Sequence, residues 1–248
     1  MELENIKAES IGAGMRIYTS PQHGFGTDAI LLADFARPKK NDIAIDLGSG
    51  CGIIPFLWAR ADAPASITAL ELQKDAIDLI KKSIALNALQ ERITAVHADL
   101  REIEKHFSTL HTFSLVSMNP PYFTCGSGYC SEDEAQKFAR HELSCTLEDA
   151  VAAADKLLRY GGRLCLCHKP ERLADMICTM RAYDIEPKRM RFVCGRAGKD
   201  PYLVLLEGKK GGKKAVKVLP ELAVQNQDGS YTDAMLAIYK DYGDGTKK

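Results

Sequence analysis

Two short segments of this 248-residue chain combine residue types and spacings suited to chemistry on a bound, nucleotide-like molecule. The first is Asp46–Leu47–Gly48–Ser49–Gly50–Cys51–Gly52, set between an apolar run and a helical one. Glycines at such a turn permit positive φ and let a ligand approach the backbone closely. The helix start that follows presents N–H groups to a carboxylate, and Asp46 suits a cationic ammonium group, directly or through water. The second segment is Asn119–Pro120–Pro121–Tyr122. Its two prolines remove two backbone donors and fix φ, which makes a stiff wall with outward-facing carbonyls. The Asn119 side-chain oxygen and the Pro120 carbonyl can then each accept one hydrogen of a planar NH₂ group. Tyr122 offers a flat face for stacking, and Phe123 is grouped with it as substrate-binding. Orientation is most of what such a nitrogen needs to attack an already electrophilic methyl group, so no Ser, Cys or His nucleophile is expected.

Spacing narrows the kind of cofactor. The glycine turn departs from the G-x-G-x-x-G of dinucleotide enzymes, and no Gly-Lys-Ser/Thr follows it as in a phosphate-binding loop. Glu71 ends the next apolar run about 20 residues on, where a carboxylate holds a ribose diol. That feature alone serves NAD or S-adenosylmethionine. Asp99, in His97–Ala98–Asp99–Leu100, is an acceptor suited to an adenine amino group or, equally, a solvated loop carboxylate. Leu72 and Leu100, beside those acids, are placed to sandwich a purine.

The elements that must position these residues alternate. Residues up to about Gly26 read as a small hairpin. Thr27 to Ala36 reads as a helix capped by Thr27 or Asp28 and ended by Pro38. Strands follow at Ile43–Leu47, Ile67–Leu72, Ile93–His97, Phe113–Met118 and Arg163–Cys167. Helices lie between them at Gly52–Ala61, Asp75–Asn87 and Thr146–Tyr160, the last stopped by Gly161 and Gly162. A further helix spans Pro170–Tyr183, and Met190–Cys194 with Tyr202–Glu207 reads as a closing hairpin. A DG turn at Asp228–Gly229 and a short helix through Met235–Tyr239 end the pattern. The alternation predicts an α/β, Rossmann-like fold: a mostly parallel twisted sheet with helices on both faces and an antiparallel strand pair at the C-terminal edge. The expected organisation is one domain, with 1–40 covering the cofactor, 41–207 as catalytic core and 208–248 as a basic extension.

Lys plus Arg and Asp plus Glu both number 33, so no global field favours nucleic acid. Locally the picture differs. Between Lys188 and Lys217 ten Lys or Arg face two acids, an excess of eight. Such a strip suits phosphate contacts, with Lys209, Lys210, Lys213 and Lys214 as the expected substrate-binding set and glycines 208, 211 and 212 letting it adapt. The eight cysteines are scattered through apolar runs, with no apolar leader before them and no stretch approaching the ~20 residues of a membrane span. A soluble, cytoplasmic protein with reduced thiols is expected. Cys165, Cys167 and His168 lack a second ligand pair at zinc-like spacing, so no metal is expected.

The same residues carry a family resemblance. The chain resembles the N6-adenine and glutamine-amide branch of class I methyltransferases, and within it the bacterial family that methylates the adenine just 3′ of the anticodon in a valine tRNA. The likeness runs through GFGTDAILLADFA from Gly24, DLGSGCGIIP from Asp46, LELQKDAIDLIKKSIALN from Leu70, HADL, MNPPYF from Met118, ARHE from Ala139 and the lysine-rich GKKGGKKAVKVLP stretch. The resemblance implies S-adenosyl-L-methionine as cofactor and tRNA as partner. It places the segment Phe25–Thr27–Asp28 over the cofactor's methionine end, Gly48 and Gly50 along the cofactor, Glu71 on the ribose and Asp99 at the adenine ring. Asn119, Pro120 and Tyr122 then form the target-base pocket. Arg140–His141–Glu142 is typical of the family, with no chemical step attached. Three rivals remain: a protein glutamine-amide methyltransferase, a DNA adenine methyltransferase, and a non-catalytic RNA-binding protein on the same fold. The basic strip and the absence of a substrate-recognition domain weigh against the first two, and intact Asn119 with its acidic partners against the third.

Overall fold

The computed structural model describes residues 5–120 and 145–239. A hairpin of β1 (Lys7–Gly12) and β2 (Met15–Thr19) precedes α1 (Thr27–Ala36). Then come β3 (Ile43–Leu47), α2 (Ile53–Arg60), β4 (Ser66–Glu71), α3 (Lys74–Leu86), β5 (Ile93–His97), α4 (Ile103–His106) and β6 (Phe113–Met118). After the undescribed stretch come α5 (Leu147–Leu157), β7 (Leu158–His168), α6 (Leu173–Ala182), β8 (Ile185–Arg196), β9 (Pro201–Lys210), β10 (Lys217–Val218), β11 (Leu222–Gln225) and α7 (Asp233–Tyr239).

The main sheet runs β10–β8–β9–β7–β6–β3–β4–β5, with β11 also paired to β8. From β7 to β5 every neighbour pair is parallel, and β9 lies antiparallel between β7 and β8. The expected α/β architecture with an antiparallel edge pair is therefore present. Chain order runs outward from β3 through β4 to β5, then returns to place β6 on the other side of β3. That reversal opens a crevice at the carboxyl ends of β3 and β6.

Apolar periodicity divides the core between the two sheet faces. Ile30, Leu31, Leu32, Phe56, Trp58, Ile77 and Ile80 from α1 to α3 pack on one face. On the other, Val151, Ala154 and Leu157 of α5 and Met176 and Met180 of α6 pack against Ile45, Val116 and Leu164.

Three local expectations change. The N-cap of α1 is Gly26, with no side-chain cap, rather than Thr27 or Asp28. Thr146 caps α5 through a reciprocal capping box with Asp149 rather than opening the helix. Gly161 and Gly162 do not stop that helix; it ends at Leu157 and both belong to β7. There the register jumps from Phe113↔Leu158 to Leu115↔Arg163, so the intervening residues bulge. A Cβ on Gly162 would lie 2.9 Å from the Arg159 carbonyl oxygen, which explains the glycine. The Gly211–Gly212 segment is likewise a built turn: Gly211 N–H donates to the Asp184 carbonyl (2.8 Å), and the Tyr160 hydroxyl donates to the Gly211 carbonyl (3.0 Å).

A charge network near the amino ends of the parallel strands anchors α1. Glu207 Oε2 accepts from Arg163 (2.9 Å) and Arg189 (2.8 Å), and Arg163 also reaches Asp42 (3.2 Å). The same guanidinium groups donate to the Ala36 and Phe35 carbonyls at the last turn of α1, and Arg189 lies 4.4 Å from the Phe35 ring centroid. With its C-terminus held there, α1 points its N-terminus toward the carboxyl ends of the strands. Removing one partner from a largely buried network leaves the opposite charges unmatched. Glu207→Gln is therefore expected to lower unfolding free energy by ~3 kcal/mol, seen as a lower urea midpoint at unchanged slope.

Candidate active site

The β3–β6 pairing sets Asp46 opposite Ser117 and Leu47 opposite Met118. The glycine turn and Asn119 thus leave adjacent strands side by side. Gly48, Gly50 and Gly52 have φ of 65°, 56° and 88°, conformations that L side chains rarely adopt. Their surroundings differ. A Cβ on Gly52 would press on Ile80 and the Phe56 ring at 3.1 Å, so Gly52 lets α2 pack closely. A Cβ on Gly50 would meet nothing within 4 Å, and one on Gly48 only the Met118 terminal methyl at 3.7 Å. The turn is open on its ligand side, as a cofactor packed on main chain requires.

Two carboxylates brace this turn. Glu71 is buried; its Oε2 accepts from Gly50 N–H and its Oε1 from Gln73 N–H, both at 2.9 Å. Each carboxylate oxygen retains a second lone pair, which is what a vicinal diol needs. Asp46 is 2% exposed and accepts a 2.5 Å bond from the Ser117 hydroxyl, while the Ser49 hydroxyl donates to the Asp46 carbonyl (2.9 Å). Burial pushes the Asp46 carboxyl up to about 7; the hydroxyls of Ser117 and Ser49 oppose that rise and the nearby Glu71 adds to it.

At the neighbouring strand ends, Asp99 caps the short turn after β5. Its carboxylate takes the Arg101 backbone N–H at 2.9 Å and the Arg101 guanidinium on both oxygens, which holds it below the usual carboxylate range. Leu100 lies in the core, 7% exposed, whereas Leu72 is 42% exposed. Phe25 packs against the α1 face of the core, and Thr27 and Asp28 sit half-buried in the first turn of α1, with Thr27 bonded to Tyr239. Cofactor candidates from five separate segments thus converge on the carboxyl edge of the sheet.

Asn119 and Pro120 extend β6 at the same edge. The Cys167 thiol on β7 donates to Asn119 Oδ1 at 3.1 Å. Pro121, Tyr122, Phe123 and Arg140–His141–Glu142 lie outside the described residues. The basic strip is elsewhere. Lys209 pairs with Arg163, the middle residue of β7 and five residues before His168. At ~3.3 Å per residue, that is roughly 17 Å from the Asn119 end. Lys209, Lys213 and Lys214 are exposed there, but Lys210 is held by Asp155 (2.8 Å) and His111 (3.3 Å). Among the described residues, exposed cations at the Asn119 end include Lys169 after β7, Arg196 at the end of β8 and Lys199 in the β8–β9 turn.

Sequence reasoning missed Ser117 and weighed Cys167 and His168 only as metal ligands. Two hydroxyls, Ser114 and Ser117, in the otherwise apolar strand Phe113–Met118 were the available signal for Ser117, since buried polar atoms need partners. His168 is 4% exposed, and its ring nitrogen accepts the Lys169 N–H at 2.8 Å. Burial, then the positive charges of Arg172 and Lys169, lower it to about 4, so it is neutral at physiological pH. Among the described residues no cluster of His, Cys, Asp or Glu could hold a metal ion, and no helix is long and apolar enough to cross a membrane.

Because Asp46 titrates near 7 when folded and at 3.8 ordinarily, the folded state holds its proton more tightly than the unfolded chain. Its stabilising contribution is full below about pH 4, declines as pH rises and is gone above about 7. The ligand-free protein should lose roughly 3 kcal/mol more stability between pH 4.5 and pH 7.5 than the Asp46→Asn variant, measured by urea unfolding at both pH values. Parallel pH profiles for the two proteins would remove the buried, proton-binding role of Asp46.

With this geometry in view, comparisons with known proteins are specific. The methyltransferase small domain model matches residues 17–177. Over 214 residues the chain is 30% identical to the tRNA1(Val) (adenine(37)-N6)-methyltransferase of Aeromonas hydrophila, covering 86% of this chain and 87% of that protein. It is 25% identical over 217 residues to the protein of the same name from Phocaeicola vulgatus, covering 88% and 89%. Among solved structures it matches a predicted O-methyltransferase from Agrobacterium tumefaciens with TM-score 0.69 at 20% identity, covering 86% of this chain and 96% of that one. It also matches the M. jannaschii tRNA m1G37 methyltransferase with TM-score 0.55 at 22% identity, covering 84% and 57%. At these identities the structural likeness is one of fold. The family match, spanning α1, the glycine turn and Asn119, shows that the chain belongs to the methyltransferase small domain family.

Proposed function

We propose that the protein transfers a methyl group from S-adenosylmethionine to N6 of an adenine in a tRNA anticodon loop, as the names of its relatives state for adenine 37 of tRNA1(Val). The observation that carries this reading is the placement of Asn119 and Pro120 beside the open glycine turn at the β3–β6 crevice.

The residues fit such a cofactor. The backbone at Gly48 and Gly50 takes its close approach, Glu71 accepts from the ribose hydroxyls, and Asp99 offers an acceptor to its adenine. Ionised Asp46 balances its ammonium group, which lowers the cost of carrying a buried charge. S-adenosylmethionine supplies a methyl group made electrophilic by its sulfonium, so the chain's own task is orientation. Asn119 Oδ1 and the Pro120 carbonyl each accept one N6 hydrogen, which fixes the amine in one rotational setting. Pro121 stiffens that wall, and Tyr122 and Phe123 supply apolar faces for a base splayed out of its stack. An unpaired loop purine is cheaper to extract than a paired one, which favours a folded RNA over duplex DNA. Lys169, Arg196 and Lys199 take phosphates beside the reacting base, and Lys209, Lys213 and Lys214 take phosphates farther along the same RNA. Lys210, held by Asp155, serves the fold instead.

Incubation with isotope-labelled S-adenosylmethionine and total tRNA, followed by nucleoside mass spectrometry, should yield N6-methyladenosine. Label in protein glutamine instead would replace the RNA reading. Asn119→Ala is expected to lower kcat by about a hundredfold while leaving cofactor affinity within a fewfold by calorimetry. Reversing either cation trio to glutamate should weaken tRNA binding and flatten its salt dependence, by roughly 0.7 to 0.9 in log–log slope per lost contact. Binding by a trio's variant equal to that of the unaltered protein removes that trio from the interface.

A further inference from the structure

At the end of the sheet remote from Asn119 we infer a second RNA contact: Tyr160 is a stacking platform for an unpaired nucleobase, set among cations that take the flanking phosphates. The inference deepens the proposed tRNA reading and rests on it.

Among the described residues no large hydrophobic side chain is more exposed than Tyr160, at 79%. A lone exposed tyrosine is ordinary, but this one is fixed in place. Its hydroxyl donates to the Gly211 carbonyl at 3.0 Å. The ring lies so close to Gly211 that a Cβ there would overlap three ring carbons. Gly211 itself has φ of 64° and donates its N–H to the Asp184 carbonyl at 2.8 Å. The β7 bulge, the exit from β9 and the turn after α6 thus build one seat for the ring. Part of the ring covers the turn and the rest stands in water. Its rotational freedom is lost on folding, so a ligand that docks there does not have to order it.

The surroundings are cationic. Arg159, Lys209, Lys213 and Lys214 are all exposed. The Lys209 stem passes Gly161, where a Cβ would meet its Cε at 3.6 Å. Lys188 Nζ donates to the Lys213 carbonyl at 2.8 Å, which ties down the segment that carries Lys213 and Lys214. Of the acids nearby, Glu186 is engaged by Arg181 (2.7 Å) and Asp155 by Lys210 (2.8 Å), while Asp184 is exposed. Cations alone suit any polyanion, and a fixed ring alone suits any flat apolar group. A nucleotide carries both halves, and stacking on an aromatic ring is indifferent to which base it is. In a duplex the base faces are already covered by their neighbours, so the occupant is unpaired.

Binding of tRNA across a salt series, with steady-state methylation, is the first test. Tyr160→Ala and Tyr160→Leu should each weaken binding about tenfold at fixed salt and raise KM for tRNA, with kcat and the log–log salt slope unchanged, because no phosphate contact is lost. Tyr160→Phe keeps the ring and should stay within about threefold of the unaltered protein. A Leu variant that binds as tightly as the unaltered protein overturns the inference. So does a Phe variant that loses as much as Leu, since the hydroxyl and not the ring would then matter. Tyr160→Trp gives a reading that does not depend on lost binding. The chain's one tryptophan, Trp58, is 2% exposed, so a fluorescence change on adding RNA reports position 160. Bound tRNA and a short oligoadenylate should quench that fluorescence, and duplex RNA should not. Bound tRNA without quenching, or equal quenching by duplex RNA, overturns the inference. Binding of polyglutamate as tight as that of oligoadenylate would instead assign the surface to an acidic protein partner. Failure of the underlying reading is distinct: the unaltered protein itself would then bind no tRNA.

Discussion

The pairing of β3 with β6 is the constraint on which the site depends. Asp46 faces Ser117 across it, joined by a 2.5 Å hydrogen bond in the dry interior. A slip of β6 by one residue would turn Ser117 to the other face, where Ile45, Leu47, Val116 and Met118 now pack, and leave Asp46 without it. The bond therefore reports the register that brings the glycine turn and Asn119 to one crevice. Asn119 follows the last glycine of the turn, Gly52, by 67 residues, and only the reversal of strand order closes that separation.

Around this pairing the protein holds its charges under tension. Asp46 is buried deeply enough to keep its proton near neutrality, and Glu71 is engaged by the backbone N–H groups of Gly50 in the glycine turn and Gln73 at the start of α3. Both arrangements suit a cationic, hydroxyl-bearing cofactor better than water. His168, neutral and buried at the end of β7, adds no positive charge against a sulfonium. The electrostatics of the crevice are thus set by burial and strand ends before any ligand arrives.

At the amino ends of the strands, the opposite solution is used. Glu207, Asp42, Arg163 and Arg189 neutralise one another, and the two arginines donate to the last carbonyls of α1. This network fixes the direction of α1 and brings Phe25, Thr27 and Asp28 toward the carboxyl edge of the sheet. Stability is concentrated at one end of the sheet and chemistry at the other, an arrangement open α/β sheets permit because loops at the two ends vary independently.

The sequence by itself determined the strand–helix alternation, the expected strands Ile43–Leu47, Ile93–His97 and Phe113–Met118, and the candidate cofactor motifs, because periodicity and glycine placement are local properties. The ends of α5 and β7 were not legible, since Gly161 and Gly162 read as a stop when Gly161 is required by its positive φ in the bulge and Gly162 by the crowding of the Arg159 and Phe113 carbonyls. Nor could residue types say that Lys209 and Lys213 lie at the far end of the sheet from Asn119; the antiparallel insertion of β9 between β7 and β8 decides that. Ser117 and Cys167 looked like ordinary strand residues, and only parallel register gave one Asp46 and the other Asn119 as partner. Hydrogen-bond partners in a parallel sheet are distant in sequence by necessity, so their identity belongs to the tertiary structure alone.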